Sequence, residues 1–235
     1  MKQSESMQEY KQAVGIKAAG YVKSGQIVGL GTGSTAAYVI KELGRRVREE
    51  KLSIDCVTTS FQSMNLAIAE NLRVYPVQVM STIDISIDGA DEIDPRLNLM
   101  KGGGAAHAME KLVHALSSEF IVVADVSKKV DRLGSKFAVP VEVIPVALRL
   151  AEKRLKDLGA TEIAIRQAVK KDGPVVTDNG NFVLDARFVI EDPFKLEGDI
   201  DTIPCVVENG IFSKRNVKVK RVLLAGPDGV EEITA

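Results

Sequence analysis

The sequence predicts an α/β fold, a three-layer sandwich around a mainly parallel sheet, with a smaller inserted α+β subdomain. Two observations carry this prediction. Short apolar runs typical of buried strands alternate with segments of helical period through the first 130 residues. Beyond that point the alternation gives way to a helix, a hairpin and further strands. With 235 residues, the chain is long enough for one large domain or two modest ones.

The first half contains the alternating elements. Apolar spacing predicts a helix over residues 6–22. The run QIVGLGTGST predicts a buried strand that ends in glycines and opens a helix from about Ser34 to Glu50. IDCVTTS predicts a second strand, and Ser60 is expected to cap a helix that runs to about Asn71. RVYPVQV, IDISIDGADEID and EFIVVAD predict further strands, and NLMKGGGAAHAMEKLVHAL predicts a glycine loop followed by an amphipathic helix.

The second half predicts the smaller subdomain. FAVPVEVIP and TEIAIRQAV predict strands on either side of a helix at residues 145–158. VVTDNGNFVLDARF predicts a hairpin, because Asn179-Gly180 between alternating apolar residues favours a type I′ turn. A helix near residues 193–201 would complete a ferredoxin-like unit, and CVVENGIF and KVKRVLLAG are expected to return to the first sheet. We therefore expect a larger domain, formed by residues 1–131 plus 206–235, that carries the site. Residues 132–205 are expected to form a smaller lid or oligomerisation subdomain.

Charge and composition exclude several classes of protein. The 31 basic and 32 acidic residues leave a net charge of −1, which gives no electrostatic footprint for nucleic acid or an anionic membrane. No apolar run approaches the roughly 20 residues that span a bilayer, and the start MKQSESMQEY lacks the apolar core of a secretory signal. We expect a cytoplasmic protein with no nucleic-acid or membrane partner, in which Cys56 and Cys205 are buried thiols.

The histidine spacing argues against a metal site. His107 and His114 are the only two histidines, and they lie seven residues apart on one predicted helix. Seven residues correspond to about 10 Å along a helix axis, which is too far for both side chains to bind one ion. A metal site that uses both histidines is therefore excluded, and the spacing gives no indication of the remaining alternative, one histidine with several carboxylates.

The first glycine motif is GLGTGSTAA. Its Gly31, Gly33 and Ala36 fit a loose dinucleotide-binding pattern. That interpretation needs an acidic residue near the end of the next strand, whereas Asp55 stands at the beginning of that strand. Amides and hydroxyls at a helix N-terminus suit a small phosphate or sugar better. A tight turn capped by Ser34 is an equally good interpretation. The candidate ligand-binding residues are Thr32, Gly33, Ser34 and Thr35.

The second motif is the acidic run DGADEID. Its first residue, Asp88, ends a predicted buried strand, and ligands gather at the carboxyl ends of parallel strands. A carboxylate there can accept hydrogen bonds from sugar hydroxyls or move a proton. A solvated acidic turn is the simpler interpretation of the run alone, and its spacing is not that of a calcium loop.

The third motif joins the glycine loop to its helix. On a helical wheel Glu110 lies beside the apolar stripe, and His107, Lys111 and His114 turn outward. Partial burial at that border would make the Glu110 carboxylate a stronger base, and Lys101 would supply a fixed positive charge. Taken alone, each is better explained as a surface residue. The predicted buried stripe is Ala105, Met109, Leu112, Val113 and Leu116.

Four motifs that occur together, in a characteristic order and spacing, outweigh these simpler interpretations. GLGTGSTA, SIDGADEID, NLMKGGGAA…EK and VVADVSK closely resemble type A ribose-5-phosphate isomerase, and the resemblance covers essentially the whole chain. Two departures are Ala105, where the family usually has a fourth glycine, and Met109, where a basic residue is common. The resemblance implies interconversion of ribose 5-phosphate and ribulose 5-phosphate through an enediolate, without metal or cofactor. It also implies a homodimer or a dimer of dimers.

The resemblance also implies residue roles. Glu110 would carry a proton between C2 and C1, and Lys101 with the glycine amides would face the oxygen that becomes negative. Asp88 and Asp91 would hold hydroxyls and help to open the furanose ring. The phosphate would rest at the helix N-terminus. The implied substrate-binding residues are Thr32, Gly33, Ser34, Thr35, Asp88, Gly89, Ala90, Asp91, Lys101, Gly102, Gly103, Gly104, Lys128 and Lys11.

Two rival functions belong to proteins of a related fold. An aminosugar-phosphate deaminase would normally need a histidine in its base machinery, and both histidines here are expected to point away from the cleft. A sugar-binding effector domain of a bacterial regulator usually follows a DNA-binding helix-turn-helix, which the short N-terminal helix cannot supply.

Overall fold

The computed structural model describes the backbone of residues 2–235 and the side chains of residues 6–235. Within that range the chain forms six α-helices: α1 (Lys2–Ala19), α2 (Ser34–Glu50), α3 (Phe61–Ala69), α4 (His107–Ala115), α5 (Leu148–Asp157) and α6 (Pro193–Asp201). The same residues form fourteen strands: β1 (Ile27–Leu30), β2 (Asp55–Thr58), β3 (Arg73–Val74), β4 (Ile83–Asp88), β5 (Glu92–Ile93), β6 (Leu99–Met100), β7 (Ser117–Asp125), β8 (Val139–Val143), β9 (Glu162–Ile165), β10 (Phe182–Arg187), β11 (Val206–Asn209), β12 (Ile211–Phe212), β13 (Val219–Gly226) and β14 (Gly229–Thr234).

The chain divides into two compact units. The first comprises the residues up to Ala90 together with Met109–Lys128 and Val217–Ala235. The second comprises Asp91–Ala108 and Lys129–Asn216. Residues 91–108, 129–131 and 206–216, which we expected in the larger domain, belong to the second unit.

The first unit contains a seven-stranded sheet in the order β14-β13-β7-β4-β1-β2-β3. Its strands pair in parallel except at β13 and β14, which form an antiparallel hairpin at one edge. The predicted mainly parallel sheet is therefore confirmed. Strand β14 was not predicted, because four of its six residues are glycine, glutamate or threonine exposed to solvent.

Helices cover both faces of this sheet. On one face, Val14 of α1 and Ile40 of α2 belong to the main apolar cluster, together with inward residues of the central strands. On the other face, Val113 of α4 packs with Val57 and Ile83. The burial of apolar side chains on both faces produces the predicted three-layer sandwich.

The second unit contains a four-stranded antiparallel sheet in the order β11-β8-β10-β9. The chain order β8-α5-β9-β10-α6-β11 makes it ferredoxin-like, as predicted. CVVENGIF does not return to the first sheet, so that expectation is wrong: β11 pairs with β8, and β12 pairs with β6. An apolar run identifies a strand but not its partner. KVKRVLLAG does join the first sheet, as β13.

The hairpin before β10 lies where it was predicted, but its turn type differs. The Gly180 amide donates to the Thr177 carbonyl at 2.9 Å, and φ is positive at Gly180 (83°) but not at Asn179. A type I′ turn needs positive φ at both central residues, so that prediction is wrong. Buried Glu142 holds this turn, since its Oε1 accepts from the side chains of Thr177, Asn179 and Asn181 at 2.9, 3.0 and 2.8 Å.

Charged and polar side chains attach the edge strand β14 to its neighbours. Glu232 accepts a hydrogen bond from the Tyr21 hydroxyl at 2.6 Å and pairs with Arg221 at 2.6 Å. The hydrogen bond from Tyr21 and the bonds from Arg221 hold the pKa of Glu232 below its ordinary value. This ionised side chain joins β14 to β13 and to the segment after α1.

We predict that Cys56 is unreactive in the folded protein. Burial, with a smaller contribution from the charge of Asp55, raises the pKa of this thiol to about 12, so the nucleophilic thiolate is absent near neutral pH. A Cys205→Ala variant leaves Cys56 as the single thiol. An aromatic disulfide reagent at pH 8 should detect no thiol in the native variant and one after unfolding. Rapid reaction of the native variant would contradict the prediction.

Candidate active site

Polar segments gather at the carboxyl ends of the central strands of the seven-stranded sheet, which form the carboxyl-terminal edge of that sheet. The adjacent strands β2, β1, β4 and β7 run in parallel, so their carboxyl ends lie side by side. In open α/β sheets this edge is where ligands bind. The segments that leave it are residues 31–35, 59–62, 88–90 and 125–128, all in the first unit.

Asp88 ends β4 and is fully buried at this edge. Its Oδ1 accepts hydrogen bonds from the backbone amides of Thr32 at 3.1 Å and Gly89 at 2.7 Å. Its Oδ2 lies 3.0 Å from Nε2 of His114. Gly31 passes so close that any Cβ there would overlap the Asp88 carboxyl group. The loop after β1 therefore needs glycine at this position, for a reason of space.

His114 is the partner that the sequence analysis missed. It is 1% exposed, and its Nδ1 lies 3.0 Å from the Ser86 hydroxyl on β4. Its ring stacks on Phe120 with centroids 3.9 Å apart and an interplanar angle of 11°. Strand β4 thus holds both ring nitrogens, through Ser86 and Asp88, and β7 supports the ring face. These contacts fix the orientation of the imidazole against the carboxylate.

The buried face of α4 carries polar residues, so the predicted outward direction of His107, Lys111 and His114 is wrong. His107, Glu110, Lys111 and His114 are 0%, 5%, 2% and 1% exposed, whereas Leu112 of the predicted stripe is 45% exposed. The four residues follow the spacing i, i+3, i+4, i+7, which defines one face of a helix. In the sequence, this spacing of polar residues was the signal that could have identified the buried polar face. Side chains such as His114 offset the cost of burial through hydrogen bonds.

The loop between β1 and α2 is fixed by side chains of the next strand-to-helix connection. The Thr32 hydroxyl lies 2.7 Å from both the Thr59 and the Ser60 hydroxyls. The amide of Gly33 donates to Oε1 of Gln62 at 2.9 Å. Ser60 also forms a capping box with Ser63 at the start of α3, as its predicted capping role requires. Both loops are therefore held in a single hydrogen-bonded arrangement.

The N-terminus of α2 has no side-chain cap. Gly33 occupies the cap position, and Ser34 is already the first helical residue, so Ser34 does not cap the turn. Lys11 of α1 instead places its Nζ 3.0 Å from the Ser34 hydroxyl. A positive charge therefore lies beside a helix N-terminus, an arrangement that favours anions.

Lys128 stands at the same sheet edge. It ends the 3₁₀ turn Val126–Lys128, directly after β7, and is half-buried. Asp125 fixes the turn by accepting from the Ser127 amide at 3.0 Å and from the Ser127 hydroxyl. The turn therefore has a fixed conformation.

Lys101 and Asp91 belong to the second unit. Lys101 is 3% exposed, its amide donates to the Gly210 carbonyl at 2.8 Å, and its Nζ lies 5.7 Å from the ring centroid of Phe212. Oδ2 of Asp91 accepts from the Gly103 amide at 2.7 Å. That amide, which we expected to face the substrate, is therefore used within the protein.

The predicted site residues thus fall into two groups. The first unit holds Lys11, Thr32, Gly33, Ser34, Thr35, Asp88, Gly89, Ala90, Glu110 and Lys128. The second holds Asp91, Lys101, Gly102, Gly103 and Gly104. Among the residues that the structure describes, no group of three or more histidine, cysteine, aspartate and glutamate side chains is arranged to bind a metal ion. None of the described helices combines the length and apolarity that a membrane crossing requires.

Sequence comparisons identify close relatives. The family model of ribose 5-phosphate isomerase A (phosphoriboisomerase A) matches residues 55–229. A ribose-5-phosphate isomerase A of Methanosarcina acetivorans is 51% identical over 227 residues, which cover 95% of this chain and 93% of the relative. Another, of Trichormus variabilis, is 55% identical over 204 residues and covers 86% of both chains.

Solved structures show the same likeness. Ribose 5-phosphate isomerase A from Methanocaldococcus jannaschii has a TM-score of 0.92 and 44% identity, covering 97% of this chain and 99% of that one. A D-ribose-5-phosphate isomerase in complex with phospho-erythronic acid has a TM-score of 0.93 and 41% identity, with the same coverage. Each match extends over residues of both units.

We predict that His114→Ala lowers the free energy of unfolding by about 1–3 kcal/mol, because the change removes buried hydrogen-bond partners of Asp88 and Ser86. Urea unfolding would measure the loss. Leu112→Ala on the exposed side of α4 is the matched control and should change stability by no more than about 0.5 kcal/mol. Equal effects of the two substitutions would show that the buried polar contacts of His114 add no stability.

Proposed function

This chain belongs to the ribose 5-phosphate isomerase A family, and on that premise we propose that it interconverts D-ribose 5-phosphate and D-ribulose 5-phosphate through an enediolate, without a metal ion. Family membership over nearly the whole chain is the observation that carries this proposal. The residues add chemical support, since a buried lysine and a buried carboxylate lie nine positions apart, at Lys101 and Glu110.

Glu110 is the proposed base. It takes the proton from C2 of the open-chain aldose, and the electrons of that bond form a C1–C2 double bond that leaves the negative charge on O1. A proton then passes from O2 to O1, Glu110 returns its proton to C1, and C2 becomes the ketone carbon. One carboxylate can serve both carbons because they are adjacent. The burial of Glu110 supports this role, since a base acts better when water does not solvate it.

Lys101 is the proposed source of fixed positive charge for the enediolate oxygen. Donors aimed at a developing charge are typically the largest contribution to catalysis. The near-complete burial of Lys101 supports the role, because a charge in a low-dielectric environment acts more strongly than one in water. Since Asp91 binds the Gly103 amide, we assign the remaining backbone donation to the amides of Gly102 and Gly104.

Asp88 and Asp91 are proposed to hold substrate hydroxyls and to assist opening of the furanose ring. Each carboxylate oxygen has two lone pairs. Oδ1 of Asp88 accepts from the Thr32 and Gly89 amides, so the hydroxyl would be accepted by Oδ2, which keeps one lone pair beside its contact with His114. Gly89 and Ala90 would contact the sugar through their backbone.

The phosphate is proposed to lie at the N-terminus of α2, on Thr32, Gly33, Ser34 and Thr35. The uncapped helix end supports this assignment, as does the contact of Lys11 with Ser34. Lys128 would add a second positive charge, from the turn after β7.

The position of the histidines does not exclude a deaminase. We expected both histidines to point away from the site, whereas His114 is buried against Asp88. Membership of the isomerase family now carries the decision against a deaminase, and equally against a non-catalytic sugar sensor. A role in the non-oxidative pentose phosphate pathway follows from the proposed reaction. A cytoplasmic location, a homodimer or dimer of dimers, and a lid or oligomerisation role for residues 132–205 stay predictions.

We predict that Glu110→Gln lowers kcat for ribose 5-phosphate by at least about 10² to 10⁴, because glutamine preserves size but cannot accept the proton. Ketose formation from ribose 5-phosphate would measure the loss. Binding of phospho-erythronic acid, which as a carboxylic acid cannot be isomerised, should change by no more than about tenfold.

The wild-type protein and the melting curve of the variant serve as controls. A wild type that forms no ribulose 5-phosphate would refute the proposed function. A variant with near-normal kcat would refute the base assignment alone, and equal damage to binding and melting would favour a structural role for Glu110.

We also predict that exhaustive treatment with a chelator leaves activity intact, because Lys101 is proposed to supply the charge that a metal ion would otherwise supply. Turnover of ribose 5-phosphate before and after the treatment would measure this. Loss of activity that one divalent cation restores would contradict metal independence.

A further inference from the structure

The glycine loop between β6 and α4 does not have a relaxed backbone. Gly102 has a φ of 101°, and Ala105 has a φ of 59°, in the left-handed region. A residue with a Cβ pays about 1–2 kcal/mol for that conformation. The Ala105 amide closes the turn by donating to the Gly102 carbonyl at 3.0 Å. One internal hydrogen bond is little support for such a turn, so its surroundings must hold it in place.

Arg166 supplies that support from within the same unit. It directly follows β9, and its Nη1 donates to the carbonyl of Gly102 at 2.6 Å and to that of Gly103 at 3.2 Å. A single guanidinium nitrogen therefore holds two successive carbonyl groups of the loop. Its positive charge strengthens both hydrogen bonds.

Asp185 on β10 fixes the guanidinium in turn. Its Oδ2 accepts from Nε of Arg166 at 2.9 Å, and its Oδ1 accepts from Nη2. These two parallel bonds form a bidentate pair, which restricts the plane of the guanidinium as well as its position. The side chains of Arg166 and Asp185 are 17% and 30% exposed, so the pair is partly shielded from water.

Asp91 holds the other side of the same loop. In a planar trans peptide the carbonyl and the following N–H point in opposite directions. The Gly102 carbonyl is bound by Arg166, and the N–H of the same peptide, on Gly103, is bound by Asp91 at 2.7 Å. This peptide therefore cannot rotate. In the next peptide Arg166 binds the Gly103 carbonyl, so the N–H of Gly104 points away from Arg166.

We propose that Arg166, anchored by Asp185, is a positioning residue that orients the glycine loop so that its remaining amides, that of Gly104 above all, donate to the oxygen that becomes negative. This inference rests on the proposed isomerase function. Arg166 acts through the backbone and does not touch the substrate. The loop is built from glycine, so without the clamp each peptide could turn its carbonyl where the amide is needed.

The geometry requires arginine rather than any cation. The side chain must bind a carboxylate with two nitrogens and the two carbonyls with a third. A lysine ammonium is a point charge without this planar fork. Arg166→Lys therefore keeps the charge and most of the chain length but loses the orientation.

The test is the steady-state kinetics of Arg166→Lys with ribose 5-phosphate. We expect kcat to fall at least about tenfold, towards the roughly 10² to 10³ that loss of one oxyanion donor costs. We expect KM to stay within about threefold, because a donor that acts on the transition state contributes little to substrate binding. Asp185→Asn, which weakens the anchor but leaves Arg166 in place, should reduce kcat in the same direction by a smaller factor.

Arg187→Lys is the matched control. Arg187 lies on β10, two residues from Asp185, and its Nε is 3.6 Å from the Glu162 carboxylate on the same strand pair, outside the glycine loop. This substitution makes the same chemical change on the same sheet, so its kcat should equal that of the wild type. A melting curve for each variant would give its folded fraction, by which kcat is corrected. If Arg166→Lys fails to fold, Asp185→Asn carries the test.

The outcomes distinguish the positioning role of Arg166 from the proposed isomerase function. A corrected kcat of Arg166→Lys and Asp185→Asn within about twofold of the wild type would overturn the positioning role, as would a loss that appears in KM alone. An equal fall of kcat in Arg187→Lys would also overturn it, since the effect would then be general to the sheet. A wild type without ribose 5-phosphate turnover would refute the proposed function itself, which the Arg166 comparison does not address.

Discussion

A carboxylate removed from water is stable only when hydrogen-bond donors surround it, and Asp88 imposes this requirement on the first unit. Its hydrogen-bond partners come from separate elements: the loop after β1 through Thr32, the end of β4 through Gly89, and α4 through His114. Gly31 lacks a side chain because the carboxyl group fills that space. One buried acid therefore sets the relative positions of a loop, a strand end and a helix face.

The second unit uses the same device to shape its loops. The buried carboxylate of Glu92 accepts the amides of Gly134 and Phe137 at 2.6 and 2.8 Å. Glu142 holds the hairpin before β10, and Asp91 holds the glycine loop. In these loops the hydrogen bonds from backbone amides and side chains to carboxylate oxygens add to the rigidity that packing supplies. Buried acidic residues of this chain thus fix the conformation of backbone segments.

Local sequence signals predicted most of the helices and strands. They could not predict contacts between side chains that are far apart in sequence. Helical periodicity and chain-breaking glycine or proline are signals that lie within a few residues, which is why α2 and α6 were predicted at nearly their observed bounds. The strand-end position of Asp88 followed from the same alternation. The wheel of α4 failed because it assumed that only apolar residues are buried, whereas His114 is stabilised by β4, far away in sequence. Likewise no local pattern joins Arg166 to Gly102, and the family resemblance assigned the chemistry without its supports.

The hairpin of β13 and β14 bears on how the folded chain behaves at high concentration. An exposed sheet edge is a template for the strand of another molecule, and charge or brevity removes that hazard. Here β14 presents Glu231 and Glu232 along one edge of the large sheet, and the opposite edge is β3, only two residues long. Neither edge offers a long apolar row of free backbone groups. Both edges of the large sheet therefore carry features that disfavour edge-to-edge pairing with another molecule.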